Sequence, residues 1–335
     1  MSQRARITGT GMSVPDRVVT NDDLAKLMDT SDEWIRQRTG IAERRWISQD
    51  ESPATLGRAA ALQAIEAAGL EVGDIDCIML ATLSPQHDFP GTSFFVHELL
   101  DAGEIPCIDL RAQCSGFLYG LSLAESLVQT RKFERVLLLG CEVHSTGLEL
   151  NTRGRDVAVL FGDGAGAVVV EPCRDEDDRS GILHVRLHAQ GKHAKRLWLE
   201  APSSAEISGR MTHEMIDDGR AFPQMEGRFV FKHAVTRMPE VLGEALEASG
   251  IKQSDVDLFL FHQANLRINE YVANQLGIPD HKLMSNIQRY GNCSAASIPI
   301  LLTEAVREGQ LRAGQIVCMT AFGSGFTWAS AVVRW

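Results

Sequence analysis

The sequence predicts a layered α/β protein made of two fused, related halves, each built around one sheet. The first observation is an internal repeat. Residues 67–80 read AAGLEVGDIDCIML and residues 248–261 read ASGIKQSDVDLFLF, an offset of 181. Both runs spell a helix end, a glycine C-cap, a short loop, an Asp-x-Asp turn and an apolar strand. The second observation is that the offset persists. ALQAIEA at 61–67 faces LGEALEA at 242–248, and RVLLLG at 135–140 faces IVCMTA at 316–321. Third, these strands are apolar without polar alternation, the pattern of parallel strands covered by helices on both faces. The halves divide at 1–180 and 181–335. The polar stretch 186–226 reads as an irregular functional loop or lid.

Bulk composition narrows the function. The chain has 335 residues, 44% of them hydrophobic, enough for a large core. A net charge of −11 argues against a nucleic-acid or anionic-membrane partner. No apolar run reaches membrane-spanning or signal-peptide length, so a soluble, cytoplasmic protein is expected. Seven scattered cysteines without a CxxC pair fit neither a disulfide framework nor a zinc site, and no metal is expected.

Three polar residues stand out against the repeat. Cys114, in DLRAQCSGFLYG, sits where an apolar segment ends and a helical pattern begins. A helix N-terminus favours a thiolate and would draw the thiol pKa towards neutrality. A small buried cysteine at a helix start is the equal alternative on this segment alone. His262 closes the apolar strand in FLFHQANLRI, the usual place for active-site groups in open α/β sheets. Asn292, in RYGNCSAAS, is either an uncharged amide donor or a turn-forming residue. Shifted by 181, Cys114 lands on Ala295, and His262 shifts back to Ala81. The reactive types therefore have inert counterparts, as expected of one site shared between the halves.

Two glycine-rich segments complete the reading. GDGAGAVVV at 162–170 lies between apolar runs and lacks the spacing of a dinucleotide loop, so a tight turn near the site is expected. AFGSGFTW at 321–328 is either a plain hairpin or a place where backbone N–H groups meet a ligand.

Together these segments resemble β-ketoacyl-[acyl-carrier-protein] synthase III, a family of thiolase-fold condensing enzymes. The likeness runs through TSDEWIRQRTGIAERRW, AQCSGF, FGDGAGA, HQANLRI, YGNCSAAS and AFGSGFTWASAVVRW, nearly the whole chain. It implies a duplicated five-layer α/β/α/β/α fold and a homodimer. It further implies that Cys114 takes an acyl group from acyl-CoA, and that His262 and Asn292 stabilise the enolate from malonyl-acyl carrier protein. The oxyanion hole would be the N–H groups of Cys114 and Ser324. No cofactor is implied beyond these substrates. By the same likeness, Trp34, Arg38 and Arg155 (or Arg153) would meet CoA, and Gly227 and Phe231 would border the pantetheine. Asn265 and Arg267 would line the entrance, with Arg267 suited to acidic carrier protein, and Phe89 would bound the acyl pocket across the dimer.

Three features depart from the family pattern. The oxyanion turn reads Gly323-Ser324-Gly325 in place of three glycines, and Arg111 and Gln113 flank the cysteine where small residues are usual. The helix after Phe89 and the 186–226 segment resemble specialised relatives of secondary metabolism, such as the anthraniloyl-accepting quinolone enzyme. They favour a medium-chain acyl-CoA primer over acetyl. The rival readings are a specialised condensing enzyme with another donor, a Cys-His-Asn thioester hydrolase, and a silent carrier-protein scaffold.

Overall fold

A computed structural model describes residues 4–174 and 179–335. Two five-stranded sheets share one spatial order. The first runs Ala5–Ser13, Gly164–Pro172, Val136–Glu142, Cys77–Ala81, Cys107–Leu110. The second runs Gly181–Ala189, Thr327–Arg334, Ile316–Gly323, Leu258–Phe261, Leu283–Met284. The repeat continues into the turns: Gln113–Ser115 and Ser294–Ala296 are both 3-10 turns, each leading directly into a helix.

Helices Gly116–Gln129 and Ser297–Arg307 form the middle layer, between the sheets. Pro53–Ala67 and Thr92–Leu100 cover the outer face of the first sheet. Gly227–Ser249 and Leu266–Leu276 cover that of the second. Successive strand residues divide between these cores. Cys77 and Met79 face the middle layer, whereas Ile78 and Leu80 face the outer helices. Leu258 and Leu260 point to the middle, and Phe259 and Phe261 point out. Both faces are therefore buried, which is why the strands carry no polar alternation. The order is the five-layer α/β/α/β/α arrangement that the family resemblance implies.

The structure corrects three expectations. Only part of each sheet is parallel: Cys77–Ala81 runs parallel to both neighbours, but Gly164–Pro172 pairs antiparallel with Val136–Glu142 and with Ala5–Ser13. The second sheet repeats this mixture. Burial on two faces dictates hydrophobicity and says nothing about strand direction. GDGAGAVVV is not a tight turn, since Gly164 opens a long strand. Its glycines serve packing: a Cβ at Gly166 would lie 2.7 Å from the backbone nitrogen of Ile300 in the middle layer. Finally, 186–226 is not irregular throughout, because residues up to Ala189 belong to the edge strand of the second sheet. Their polarity reflects an edge position with one partly exposed face.

Candidate active site

The strand Cys107–Leu110 ends just before Cys114, and Gln113 turns the chain with φ 47. Its repeat mate Ser294 has φ 42, so the left-handed turn belongs to the duplicated backbone. Cys114 follows at the mouth of the middle-layer helix and is 7% exposed. Its own N–H, the N–H of Ser324 and the hydroxyl of Ser294 face the sulfur and favour its ionised form. Burial outweighs them and pushes the thiol up to about 12. This overturns the expectation of a near-neutral thiol: the helix terminus favours a charge, but removing that charge from water costs more.

AFGSGFTW forms a hairpin, and its turn also approaches the cysteine. Ile316–Gly323 and Thr327–Arg334 pair antiparallel, and the connecting turn lies against Cys114. A Cβ at Gly323 would sit 2.8 Å from that of Cys114, so glycine there lets the turn approach. The Ser324 hydroxyl donates to the Leu197 carbonyl, leaving the backbone N–H for the sulfur side. The change from glycine at this position therefore keeps the donor.

His262 follows the strand Leu258–Phe261, anchored by its N–H to the Thr320 carbonyl at 2.8 Å. Nδ1 lies 2.8 Å from Ser297 Oγ, which also accepts the Gln263 N–H at 2.9 Å. Nε2 is buried without a hydrogen-bond partner among the described residues. Burial lowers the imidazole to about 3, so it is neutral at physiological pH. Asn292 is locked by its N–H to the Leu160 carbonyl at 2.8 Å. Its Oδ1 accepts the Ser294 N–H at 2.8 Å, which leaves the amide NH2 as the available donor.

One cavity of about 1310 Å³ brings Cys114, His262, Asn292 and Ser324 together. Trp34, Arg38, Gly227, Phe231 and Asn265 line it too. Two guanidinium groups lie over the Trp34 ring, Arg38 at 4.5 Å and Arg155 at 4.8 Å from its centre. Arg155 itself is outside the lining, and its guanidinium donates to the Asp29 carbonyl at 2.6 Å. Arg153 instead reaches Glu149 and the Asp217 carbonyl, tying down the 186–226 segment. Arg267 also lies outside the lining and donates to the carbonyls of Arg36 and Gln37 and to Glu270. Phe89 is 81% exposed and absent from its own chain's cavity. Arg111 and Gln113 both line the cavity.

The sequence reading passed over His144 and Ser294, which line the same cavity. His144 Nε2 is 3.0 Å from Ser294 Oγ, and its ring packs on Phe161 at 4.6 Å. Asp163 holds this corner by accepting the N–H groups of His144 at 2.7 Å and Ser145 at 3.0 Å. The signal was present: His144 follows the apolar strand Val136–Glu142 much as His262 follows Leu258–Phe261. Beside it, the buried Glu142 carboxyl accepts from Thr82, Leu83 and Ser84, yet burial raises it to about 7.

Known proteins extend this picture. The family described as 3-oxoacyl-[acyl-carrier-protein] synthase III matches residues 108–191, and its C-terminal counterpart matches residues 246–335. A β-ketoacyl-[acyl-carrier-protein] synthase III of Roseiflexus castenholzii is 43% identical over 335 residues, covering 100% of this chain and 99% of the relative. The crystal structure of 3-oxoacyl-[acyl-carrier-protein] synthase III from Aquifex aeolicus is 43% identical with a TM-score of 0.89, covering 99% of this chain and 100% of that one. The priming β-ketosynthase of the R1128 polyketide pathway has 32% identity and the same TM-score, covering 100% of this chain and 98% of that one. With full-length relatives at this identity and a shared fold, the chain belongs to the β-ketoacyl-[acyl-carrier-protein] synthase III family.

Proposed function

We propose that this protein is a condensing acyltransferase that joins an acyl-CoA primer to malonyl-acyl carrier protein, giving 3-oxoacyl-acyl carrier protein and CO2. The observation that carries the reading is the meeting of a thiol, a partnerless neutral imidazole nitrogen and a free amide NH2 in one cavity. In the first half-reaction the Cys114 sulfur attacks the acyl-CoA carbonyl and CoA leaves. The N–H groups of Cys114 and Ser324, which face the sulfur, hold the oxyanion of the tetrahedral adduct.

In the second half-reaction the malonyl thioester carbonyl sits between His262 and Asn292. The Ser297 hydroxyl accepts from Gln263, so its own proton is available to His262 Nδ1 and the ring proton stays on Nε2 as a donor. Loss of CO2 then leaves an enolate held by two neutral donors. The enolate carbon attacks the acyl-Cys114 carbonyl, the C–S bond breaks and the thiolate recovers a proton. The atoms balance without an external cofactor.

Trp34 would stack on adenine, with the nearby Arg38 and Arg155 suited to meet phosphate. Arg155 is preferred to Arg153 because it lies over the Trp34 ring, whereas Arg153 points to Glu149 and Asp217. Gly227 and Phe231 would border the pantetheine, Asn265 and Arg267 would receive the carrier protein, and exposed Phe89 would reach a second copy in a homodimer. The proposed primer is a medium-chain acyl-CoA, and the proposed location is the cytoplasm. Among the described residues, no helix is long and apolar enough to cross a membrane.

The test is a chain-length series of labelled acyl-CoAs. The expected result is label on Cys114, strongest at medium chain length, discharged by malonyl-acyl carrier protein with release of CO2. Free acid released without CO2 would replace this reading with a thioester hydrolase, and label persisting in Cys114→Ala would remove the nucleophile.

A further inference from the structure

The reaction above leaves one question open: where the proton of a buried thiol goes when its sulfur attacks. His262 lines the same cavity, but its Nε2 has no partner and its Nδ1 is taken up by Ser297. His144 is differently placed. Its Nε2 meets the Ser294 hydroxyl at 3.0 Å, and the turn that carries Ser294 packs against the turn that carries Cys114, where the hydroxyl favours the ionised sulfur. Thiol, hydroxyl and imidazole thus share one cavity that all three residues line.

We propose that Ser294 and His144 form a proton relay for Cys114 during acylation, an assignment that rests on the condensing-enzyme reading. As the Cys114 sulfur bonds to the acyl carbon, its proton passes to Ser294 Oγ, and the proton of Ser294 passes to His144 Nε2. When the tetrahedral adduct collapses, the bond between carbon and the CoA sulfur breaks. The departing sulfur takes back one proton through the same hydroxyl, and His144 returns to its neutral form. Burial disfavours both a thiolate and an imidazolium here, so the transfer accompanies C–S bond formation, and the imidazolium and oxyanion pair lasts only until the adduct collapses.

The surroundings fit this role. Asp163 fixes the His144 backbone and burial holds the imidazole neutral; the relay uses the tautomer in which Nε2 accepts. The ionisable groups around the relay are Glu142, Asp163, Cys114, Cys293 and His262. The two halves of the reaction would then use different imidazoles, His144 to accept a proton in acylation and His262 to donate a hydrogen bond in condensation. In this relay Ser294 exchanges a proton with the reacting sulfur, and His144 acts through Ser294 as the terminal acceptor.

Full-length His144→Gln, Ser294→Ala and the double variant test this. Single-turnover acylation of Cys114 by acyl-CoA and decarboxylation of malonyl-acyl carrier protein are measured separately. Each single variant should slow acylation roughly 10²-fold near neutral pH, with decarboxylation within about twofold of the parent. The double variant should be no slower than either single one, as expected of groups acting as a unit. Acylation in the variants should rise about tenfold per pH unit above neutrality as hydroxide replaces the relay, while the parent stays flat. Unchanged acylation in both single variants would overturn the relay, and so would an equal loss in both half-reactions with an unaltered pH profile. A parent protein that is never acylated would instead overturn the condensing-enzyme reading and the relay with it.

Discussion

The turns Gln113–Ser115 and Ser294–Ala296 are two copies of one piece of backbone with different side chains. Each opens on a left-handed residue and leads into a middle-layer helix. In the first copy the central residue is Cys114, and it faces the cavity. In the second it is Ala295, packed against the first half, where its carbonyl would lie 2.3 Å from a Cβ added at Gly140. The left-handed positions have diverged too: Gln113 and Ser294 both line the cavity, but Ser294 faces the sulfur and His144. Duplication thus supplied two matched corners. One became the place for a nucleophile, and the other brings the halves close enough to deliver hydrogen-bonding groups to it.

The sharpest way to break the comparison is Cys114→Ala, which makes the two central residues identical. Acyl transfer should fall by roughly 10³-fold or more, measured as acyl-enzyme by mass spectrometry. Next in size, His262→Ala or Asn292→Ala should cut malonyl decarboxylation roughly 10²- to 10³-fold while Cys114 acylation changes little. An equal loss of acylation would show that the two corners do not divide the chemistry. Gly140→Ala attacks the packing role of the second corner, because the methyl would collide with the Ala295 backbone. A destabilisation of about 1–3 kcal/mol is expected in chemical denaturation. A smaller, remote effect is expected for Trp34→Ala: KM for acyl-CoA should rise about tenfold with kcat nearly unchanged, since only binding is touched. The smallest effect is expected of Ala295→Cys. It restores a thiol to the second turn, but Ala295 is 1% exposed and outside the cavity lining, so no acyl label should appear there.

Much of the fold was legible because burial leaves a periodic trace. The 181-residue repeat announced two sheets, and strands such as Cys77–Ala81, apolar at every position, announced helices on both faces. Strand direction was not legible, because the same burial is achieved by parallel and antiparallel neighbours. The glycines of FGDGAGA misled for a related reason. Glycine marks a turn or a close approach alike, and only the position of Ile300 over Gly166 distinguishes them.

The candidate site divides the same way. Cys114 and His262 were visible as reactive types standing against inert repeat mates, and Asn292 through its YGNCSAAS motif. His144 was at a strand end too, but nothing local tied it to Ser294, 150 residues away.

By itself, then, the sequence determined the two-sheet layering, the family, and the residue types able to do chemistry, since these follow from hydrophobic pattern and local motif. The tertiary structure alone decided the state of each group. Burial sets the Cys114 thiol high and both imidazoles neutral, and long-range contacts decide which nitrogen is free, which arginine flanks Trp34 and which hydroxyl faces the sulfur. Desolvation and hydrogen-bond partnership depend on atoms brought together from distant parts of the chain, and no local stretch of sequence encodes them.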